Sequence, residues 1–584
     1  MKYNPHCSPE QETGQKKGFT NPENVTIKSG DESSAPIDEE MTDEKLPPGV
    51  IRMEAINEEL SFWERCFVFF GLFLVCYALN LNNLTFGTYQ GYATSSWQNH
   101  SFLSTINVIR GVISAAVMPL AAKLSDMIGR VESFAAGTVF YVTGIIVQAS
   151  AQNIEAFAVG TLLFQIGYTC CQLLVEILVA DMTSLRSRVF WLFLPAMPNI
   201  VNVWASGDLT SAILSRATWR WGIGMWSIIF PTCTIPLVAI LVHVGRRASA
   251  LTTKSEPSQR ERRHFMALTL DMADNLDLVG LFLLTTALSL FLIPLTLAGG
   301  ESKKWSTPGI ITTLVLGIIL FPLFIIWEHK ASNPLMPFSI LKDRAVWGAM
   351  GITIFTSVSW TVQGDFLYTV LLVGYDFSIK AATRVSGLYA FCETVSGMVV
   401  GLIIFKVRRC KPFVVGGVLI WFIAYGIMIH FRGGPGSSSQ SGIIAGQILL
   451  GGAGAMFPFP NIVVAMAMAK HKDIAVLTSL WLTMNWVGYA VGNCASGAIW
   501  TQTLYQTLQQ NLGPINNTLA DAVYASPLTV VPNYPVGTPE RVGIMESYRH
   551  IQHLLTIAGI CFVIPILFFA LCIRNTKLRG QFRA

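Results

Sequence analysis

Runs of about 20 consecutive apolar residues recur along almost the whole of this chain, and about 20 is the length a helix needs to cross a hydrocarbon core of about 30 Å. Lipid offers no hydrogen bonds to a backbone, so each run is constrained to be helical. The runs fall at 66–87, 101–122, 133–150, 155–178, 189–212, 222–244, 277–298, 309–327, 347–372, 382–405, 413–431, 441–468, 474–500 and 551–573. The chain therefore reads as an all-α membrane protein with about fourteen transmembrane helices. Only 13% of its 584 residues are charged, against about 25% in soluble proteins. A net charge of +5 is too small to imply nucleic acid. The eleven cysteines show neither CxxC nor zinc spacing and read as small hydrophobes.

An even number of spans returns both termini to one side, and the basic residues say which. Arg246, Arg247, Arg260, Arg262, Arg263, Lys406, Arg408, Arg409, Lys411, Lys470 and Lys472 cluster in loops on the side of the N-terminus, which predicts cytosolic termini. Residues 1–60 are polar, lack a cleavable-signal layout and are expected to be a disordered cytosolic tail. The remaining boundaries are expected at 61–245 for a six-helix bundle, 246–276 for a basic cytosolic linker, 277–345 for two inserted helices and their loop, 346–573 for a second six-helix bundle, and 574–584 for a cytosolic tail. The second bundle carries the long outer loop, 501–550, with the Asn516-Asn517-Thr518 sequon, a glycosylation candidate if exposed.

The loop between spans two and three reads Ala122-Lys123-Leu124-Ser125-Asp126-Met127-Ile128-Gly129-Arg130. It resembles the G-x-L-x-D-R-x-G-R signature of the major facilitator superfamily at Asp126, Gly129 and Arg130, and departs from it at Ala122 and Met127. Between spans ten and eleven the loop repeats weakly, with Gly401, Lys406 and Arg409 in register and Phe405 in place of the acid. Two such loops fit duplicated six-helix halves with spans seven and eight inserted between them.

Further segments narrow the resemblance: Asp181 to Arg188, Trp219-Arg220-Trp221-Gly222, Pro294 to Ala298, Trp327-Glu328, Pro334 to Phe338, and Tyr534-Pro535-Val536-Gly537-Thr538-Pro539-Glu540-Arg541. Together they look like the fungal siderophore-iron transporter family, fourteen-span branch, from about residue 60 to the end. The resemblance implies proton-coupled import of a ferric hydroxamate siderophore by alternating access, at the plasma membrane or an endosomal or vacuolar one. The chain is read as a monomer in the bilayer, with siderophore and protons as partners and no cofactor.

Polar stripes mark the candidate cavity. Span four places Gln165, Tyr168, Gln172 and Glu176 on one face; span nine places Ser357, Thr361, Asp365 and Tyr368 on one face, with Trp360 and Gln363 beside it; span thirteen spaces Asn485, Tyr489 and Asn493 by four. Interhelical glue is the competing reading. Charges within spans are costly and informative. Glu393 and Asp365 lead as proton-coupling candidates, followed by Glu176 and Arg110. A static ion pair of Glu393 with Arg110, or a solvated Asp365, is the alternative. The superfamily resemblance groups Asp126, Gly129, Arg130, Asp181 and Arg188 as an inner gate, and the family resemblance assigns cargo reception to Tyr524, Tyr534 and Tyr548 of the outer loop. Interface anchoring is the other reading of those tyrosines.

A hydroxamate complex already gives its iron six oxygens, so no metal-ligand set is expected in the protein. The sequence holds no G-x-x-x-x-G-K-[ST] loop, so a gradient rather than ATP is the expected drive, and enzymatic chemistry is not expected. Two competing readings remain: an antiporter exporting glutathione, a drug or a toxin, and a membrane protein of another class, a non-transporting sensor or an acyltransferase.

Overall fold

The computed structural model describes residues 59–183, 188–191, 193–252, 276–298, 305–332, 334–335, 340–431, 440–468 and 474–575, with Met53 and Ile56 ahead of them. The long helices are α1 (Phe62–Ser96), α2 (Phe102–Ile128), α3 (Arg130–Ser150), α4 (Ile154–Asp181), α5 (Asn199–Arg216) and α6 (Trp226–Thr252), then α7 (Leu278–Leu297) and α8 (Pro308–Lys330). They continue with α9 (Arg344–Gly364, extended by Leu367–Tyr375), α10 (Ile379–Val407), α11 (Lys411–Phe431), α12 (Gln440–Gly454, extended by Pro458–Met468), α13 (Ile474–Leu512) and α14 (Pro539–Cys561, extended by Val563–Cys572).

By length and composition, 12 helical segments among the described residues can cross a membrane. Helices α5 and α13 occupy the two other positions expected from the sequence; α5 carries Asn199, Asn202, Asp208 and Thr210 on its 18 residues.

Local chemistry sets the ends. Ser61 caps α1 through a reciprocal box with Glu64, satisfying two otherwise orphan amide groups. Gly129 sits at φ 115° between α2 and α3, a conformation glycine adopts without a Cβ penalty. Thr538 accepts from the Arg541 amide ahead of Pro539, a helix cap followed by a first-turn proline. Because α13 runs to Leu512 and α14 starts at Pro539, the long connection shrinks to 513–538 and is itself largely helical. Helix α6 likewise extends into the expected basic linker as far as Thr252, whereas residues 253–275 lie outside the described residues.

Helices α1–α6 pack together and so do α9–α14, with α2 against α13 and α5 against α10 joining the two sets. The two cross-joins are equivalent under exchange of the halves, as in two duplicated halves facing each other. Helix α7 lies against both α2 and α13, and α8 packs mainly on α7. Thr105 donates to Thr296 at 3.0 Å on one side of α7, and Cys494 to the Leu292 carbonyl at 3.4 Å on the other. Helix α7 therefore straddles the seam between the bundles.

Small residues allow the closest crossings, as is usual where packing rather than the hydrophobic effect joins helices in lipid. A Cβ on Gly144 of α3 would run into the Phe164 backbone of α4, and one on Gly451 of α12 would lie 2.7 Å from Cys392 of α10. The glycine-rich stretch of span twelve is thus a helix crossing.

Candidate functional site

One cavity of about 500 Å³ lies where the two bundles meet. Its walls come from α1, α2 and α4 on one side and α9, α10, the second half of α12 and α13 on the other.

The stripe expected on span nine faces it in full: Ser357, Thr361, Asp365 and Tyr368 all line it, as does Trp360. So do Asn485, Tyr489 and Asn493 on α13, Tyr168 and Gln172 on α4, and Arg110 and Glu393. Three expected residues do not. Gln165 is fully buried behind Arg110: it accepts from Arg110 Nε at 2.9 Å and donates to Ser114 Oγ at 2.8 Å, so the guanidinium lies where the amide was expected. Gln363 turns away from the cavity-facing stripe and donates to the Trp360 carbonyl at 3.1 Å. Glu176 is absent from the lining; it sits near Cys76 and Tyr168, and its Oε2 is buried without a hydrogen bond.

Arg110 and Asp365 are brought together across the two bundles. Asn107 Nδ2 donates to Asp365 Oδ1 at 2.7 Å, and the Asn107 Oδ1 accepts from Arg110 Nη1 at 3.5 Å and from Gln90 Nε2 at 3.3 Å. The guanidinium also lies 4.7 Å over the Phe86 ring, a favourable cation–π distance. Asp365 is half-buried in the cavity wall, not a solvated acid at the surface. Ser496 lies beside the carboxyl, whose Oδ2 is buried without a hydrogen bond. Glu393 has no ion pair with Arg110 among the described residues; its partner is the Tyr389 hydroxyl, donating to Oε1 at 3.3 Å.

The end of the cavity nearest residues 513–538 is closed by polar ties between bundles. Asp208 of α5 pairs with Lys380 and, at 2.6 Å, with Arg384 of α10. Thr383 bridges Thr88 and Thr210 at 3.2 Å each. The segment 517–530 adds to the closure: Ser526 Oγ donates to the Ser95 carbonyl at 2.5 Å and the His100 amide to Ala525 at 3.2 Å. His100 Nε2 meets Thr369 Oγ1 at 3.0 Å, while Nδ1 meets Ser95 Oγ at 3.1 Å. At the other end the bundles meet through apolar rings, Phe193 on Phe459 at 4.6 Å.

His100 lies between α1 and α2, fully buried against Phe366 and Trp500, and burial pushes its pKa down to about 4. A released ring titrates near 6.5. Because the open state binds more protons between those values, closure is fully favoured above about pH 6.5 and weakens as pH falls toward about 4. Amide hydrogen exchange of residues 517–530, corrected for intrinsic rate, is therefore expected to speed up between pH 7 and 4.5, and His100→Gln to flatten that dependence. An equal pH response in the variant would count against His100 as its source.

Of the expected inner gate, Asp126 and Arg130 pair at 2.7 Å, and Arg130 also reaches Ser125, with Gly129 making the turn. The side chains of Asp181 and Arg188 lie outside the described residues. The loop tyrosines do not line the cavity. Tyr548 is fully buried against Trp500, Tyr524 packs on Tyr505 at 5.4 Å, and Tyr534 packs against the same apolar core. Asn516 is exposed and its Oδ1 caps the following helix through Thr518.

Sequence reasoning missed Asn83, Gln90 and Asn107, which line the cavity from α1 and α2. Asn83, Gly87 and Gln90 follow a helical spacing within an apolar run, the same signal that found the other stripes.

Two six-helix bundles around a central, polar-lined cavity are the architecture of a secondary membrane carrier. A solved peptide transporter, POT in complex with sulfate, shares the fold, with a TM-score of 0.52 at 14% identity over 89% of this chain and 99% of that one. Residues 69–438 match the family described as fungal trichothecene efflux pump. Siderophore iron transporter 1 of Saccharomyces cerevisiae is 39% identical over 92% of this chain and 86% of its own length. Siderophore iron transporter ARN1 of the same yeast is 36% identical, covering 90% and 84%. MFS siderochrome iron transporter C of Aspergillus fumigatus is 31% identical, covering 92% and 88%. The chain belongs to this fungal siderophore-iron transporter family of the major facilitator superfamily.

Proposed function

We propose that this chain imports ferric hydroxamate siderophores across the plasma membrane by alternating access, driven by protons. The observation that carries the reading is the cavity shared by both bundles, in a chain so similar to siderophore iron transporters over nearly its full length. Its volume is in the range of small-molecule sites, about 300–1,000 Å³. Its amides, hydroxyls and aromatic rings suit the amide-rich outside of a complex whose iron is already fully coordinated. The role is carriage, with no bond made or broken in the cargo.

Protonation of Asp365 is the coupling step in this reading. The carboxylate balances Arg110 through Asn107 across the bundle interface, so a proton arriving there removes one partner of a cross-bundle charge pair and loosens closure at that end. With both termini cytosolic that end is the outer one, and the described arrangement is closed to the outside. In this reading the protein acts as a monomer, since the cavity is lined by residues of one chain.

Outward transport is the second reading, favoured by the efflux description of the matching family. Proteoliposomes carrying the full chain separate the two. Imposing an inward proton gradient on right-side-out protein is expected to accumulate iron-59-labelled ferric hydroxamate complex severalfold inside. Extrusion of preloaded complex or of a toxin under the same gradient, without accumulation, would overturn import.

A further inference from the structure

Three charged side chains line the cavity, Arg110, Asp365 and Glu393, and they are not equivalent. Arg110 is held by Gln165 and Asn107 and balanced by Asp365. Glu393 projects from α10, and no ion pair joins it to a base among the described residues. With the first two charges offsetting each other, an ionised Glu393 leaves the cavity with an excess negative charge.

The surroundings of Glu393 are aromatic. Tyr389, whose hydroxyl donates to its Oε1 at 3.3 Å, packs on Trp360 at 5.6 Å and edge-on to Trp421 at 6.0 Å. Trp360, Tyr389 and Glu393 all face the cavity. The corner is built rather than incidental. A Cβ on Gly454 would collide with the Tyr389 hydroxyl, so glycine at that position of α12 leaves the room in which the phenol reaches Glu393. A carboxylate beside aromatic rings, partly withdrawn from water, is the standard chemistry for an organic cation: Coulomb attraction to the acid, quadrupole attraction to the rings, and a low local dielectric that strengthens both.

We infer that the Glu393–Tyr389–Trp360 corner binds an ammonium group carried by the cargo, and so selects cationic over neutral ferric hydroxamate complexes. The inference rests on the proposed uptake of such complexes and names the charge class that this cavity prefers. Asp365 remains the proton site and Glu393 the site of cargo charge, which explains why the cavity holds two acids and one base.

The test uses two probes that differ only in charge: the ferric complex of a linear trihydroxamate ending in a free primary amine, and the same complex with that amine acetylated. Uptake of both is measured at pH 7 in proteoliposomes of the full chain. The wild-type protein is expected to favour the amine in KM by about tenfold, the scale of one desolvated cation contact. Glu393→Gln is expected to bring the KM ratio of the two probes to near one, and Tyr389→Phe to reduce it severalfold. A wild-type ratio near one, or a ratio unchanged in Glu393→Gln, would overturn the inference while leaving siderophore uptake intact. If the wild type carries neither complex, it is the uptake reading that fails. Quenching of cavity tryptophan fluorescence by a free alkylammonium then decides the corner: quenching lost in both variants supports it, and quenching that persists in Glu393→Gln overturns it. The same titration decides the matter if Glu393→Gln is folded but inactive.

Discussion

Asp365→Asn is expected to abolish concentrative uptake while sparing exchange. An asparagine at this position still accepts the hydrogen bond that Asn107 donates at 2.7 Å, so the bundle contact survives the substitution. It can neither take up nor release a proton, and it removes the anion that balances Arg110. Under an imposed proton gradient the accumulation ratio of labelled ferric complex should fall at least tenfold, a loss of about 1.4 kcal/mol of coupling. Exchange of internal for external complex at equal concentration should persist, because it requires rocking of the loaded carrier without net proton movement. Full accumulation by the variant would move the coupling step to another acid. Arg110→Gln, by contrast, leaves Asp365 in the wall without the cation it faces through Asn107, and is expected to destabilise the closed arrangement, because a carboxylate held from water loses its compensating charge. The double variant is expected to recover folding lost in Arg110→Gln without recovering accumulation, which separates the structural part of the pair from its role in coupling.

The second large effect concerns the fold. Helices α3 and α4 cross at Gly144, where a Cβ would fall within 2.7 Å of the Phe164 Cβ and closer still to that residue's backbone. Gly167 makes the reciprocal approach to Tyr141 and Gly137, so neither helix can retreat without opening the other contact. Overpacking a core costs about 1–3 kcal/mol even where side chains can yield, and here the obstacle is backbone. Gly144→Leu is expected to leave little folded protein, read as loss of a monodisperse peak in detergent and a melting temperature at least about 10 °C lower in what remains. Gly426→Ala is the control, since nothing lies within 4 Å of its added Cβ, and it should behave as wild type. Normal folding of Gly144→Leu would mean that the crossing is looser than described.

The stripe on span nine was legible because helical spacing fixes which residues share a face, and Ser357, Thr361, Asp365 and Tyr368 all reach the cavity. The same rule failed for Gln165 and Gln363 for two different reasons. Gln165 is on the right face, but a longer side chain from α2 lies between it and the cavity. Gln363 is only a sequence neighbour of the stripe, and two positions along a helix, from Thr361 or from Asp365, are about 200° of rotation. Spacing carries no information about depth or about what a neighbouring helix inserts. His100 was illegible for the same reason: a lone histidine between two spans has no pattern, and its partners Thr369 and Ala525 lie hundreds of residues away.

The sequence by itself determined the helical character of the spans, the polar faces of α9 and α13, and the family. Each depends on local period, local length or a contiguous motif, and lipid enforces the helix wherever an apolar run is long enough. Only the tertiary structure decided that Arg110 belongs with Asp365 through Asn107, that Glu393 stands apart in an aromatic corner, and that α7 straddles the seam between α2 and α13. Those relations depend on which helices pass close to one another and at what height. That is set by small residues at crossings such as Gly144 and Gly451 and by the packing of both bundles together, not by any single run of sequence.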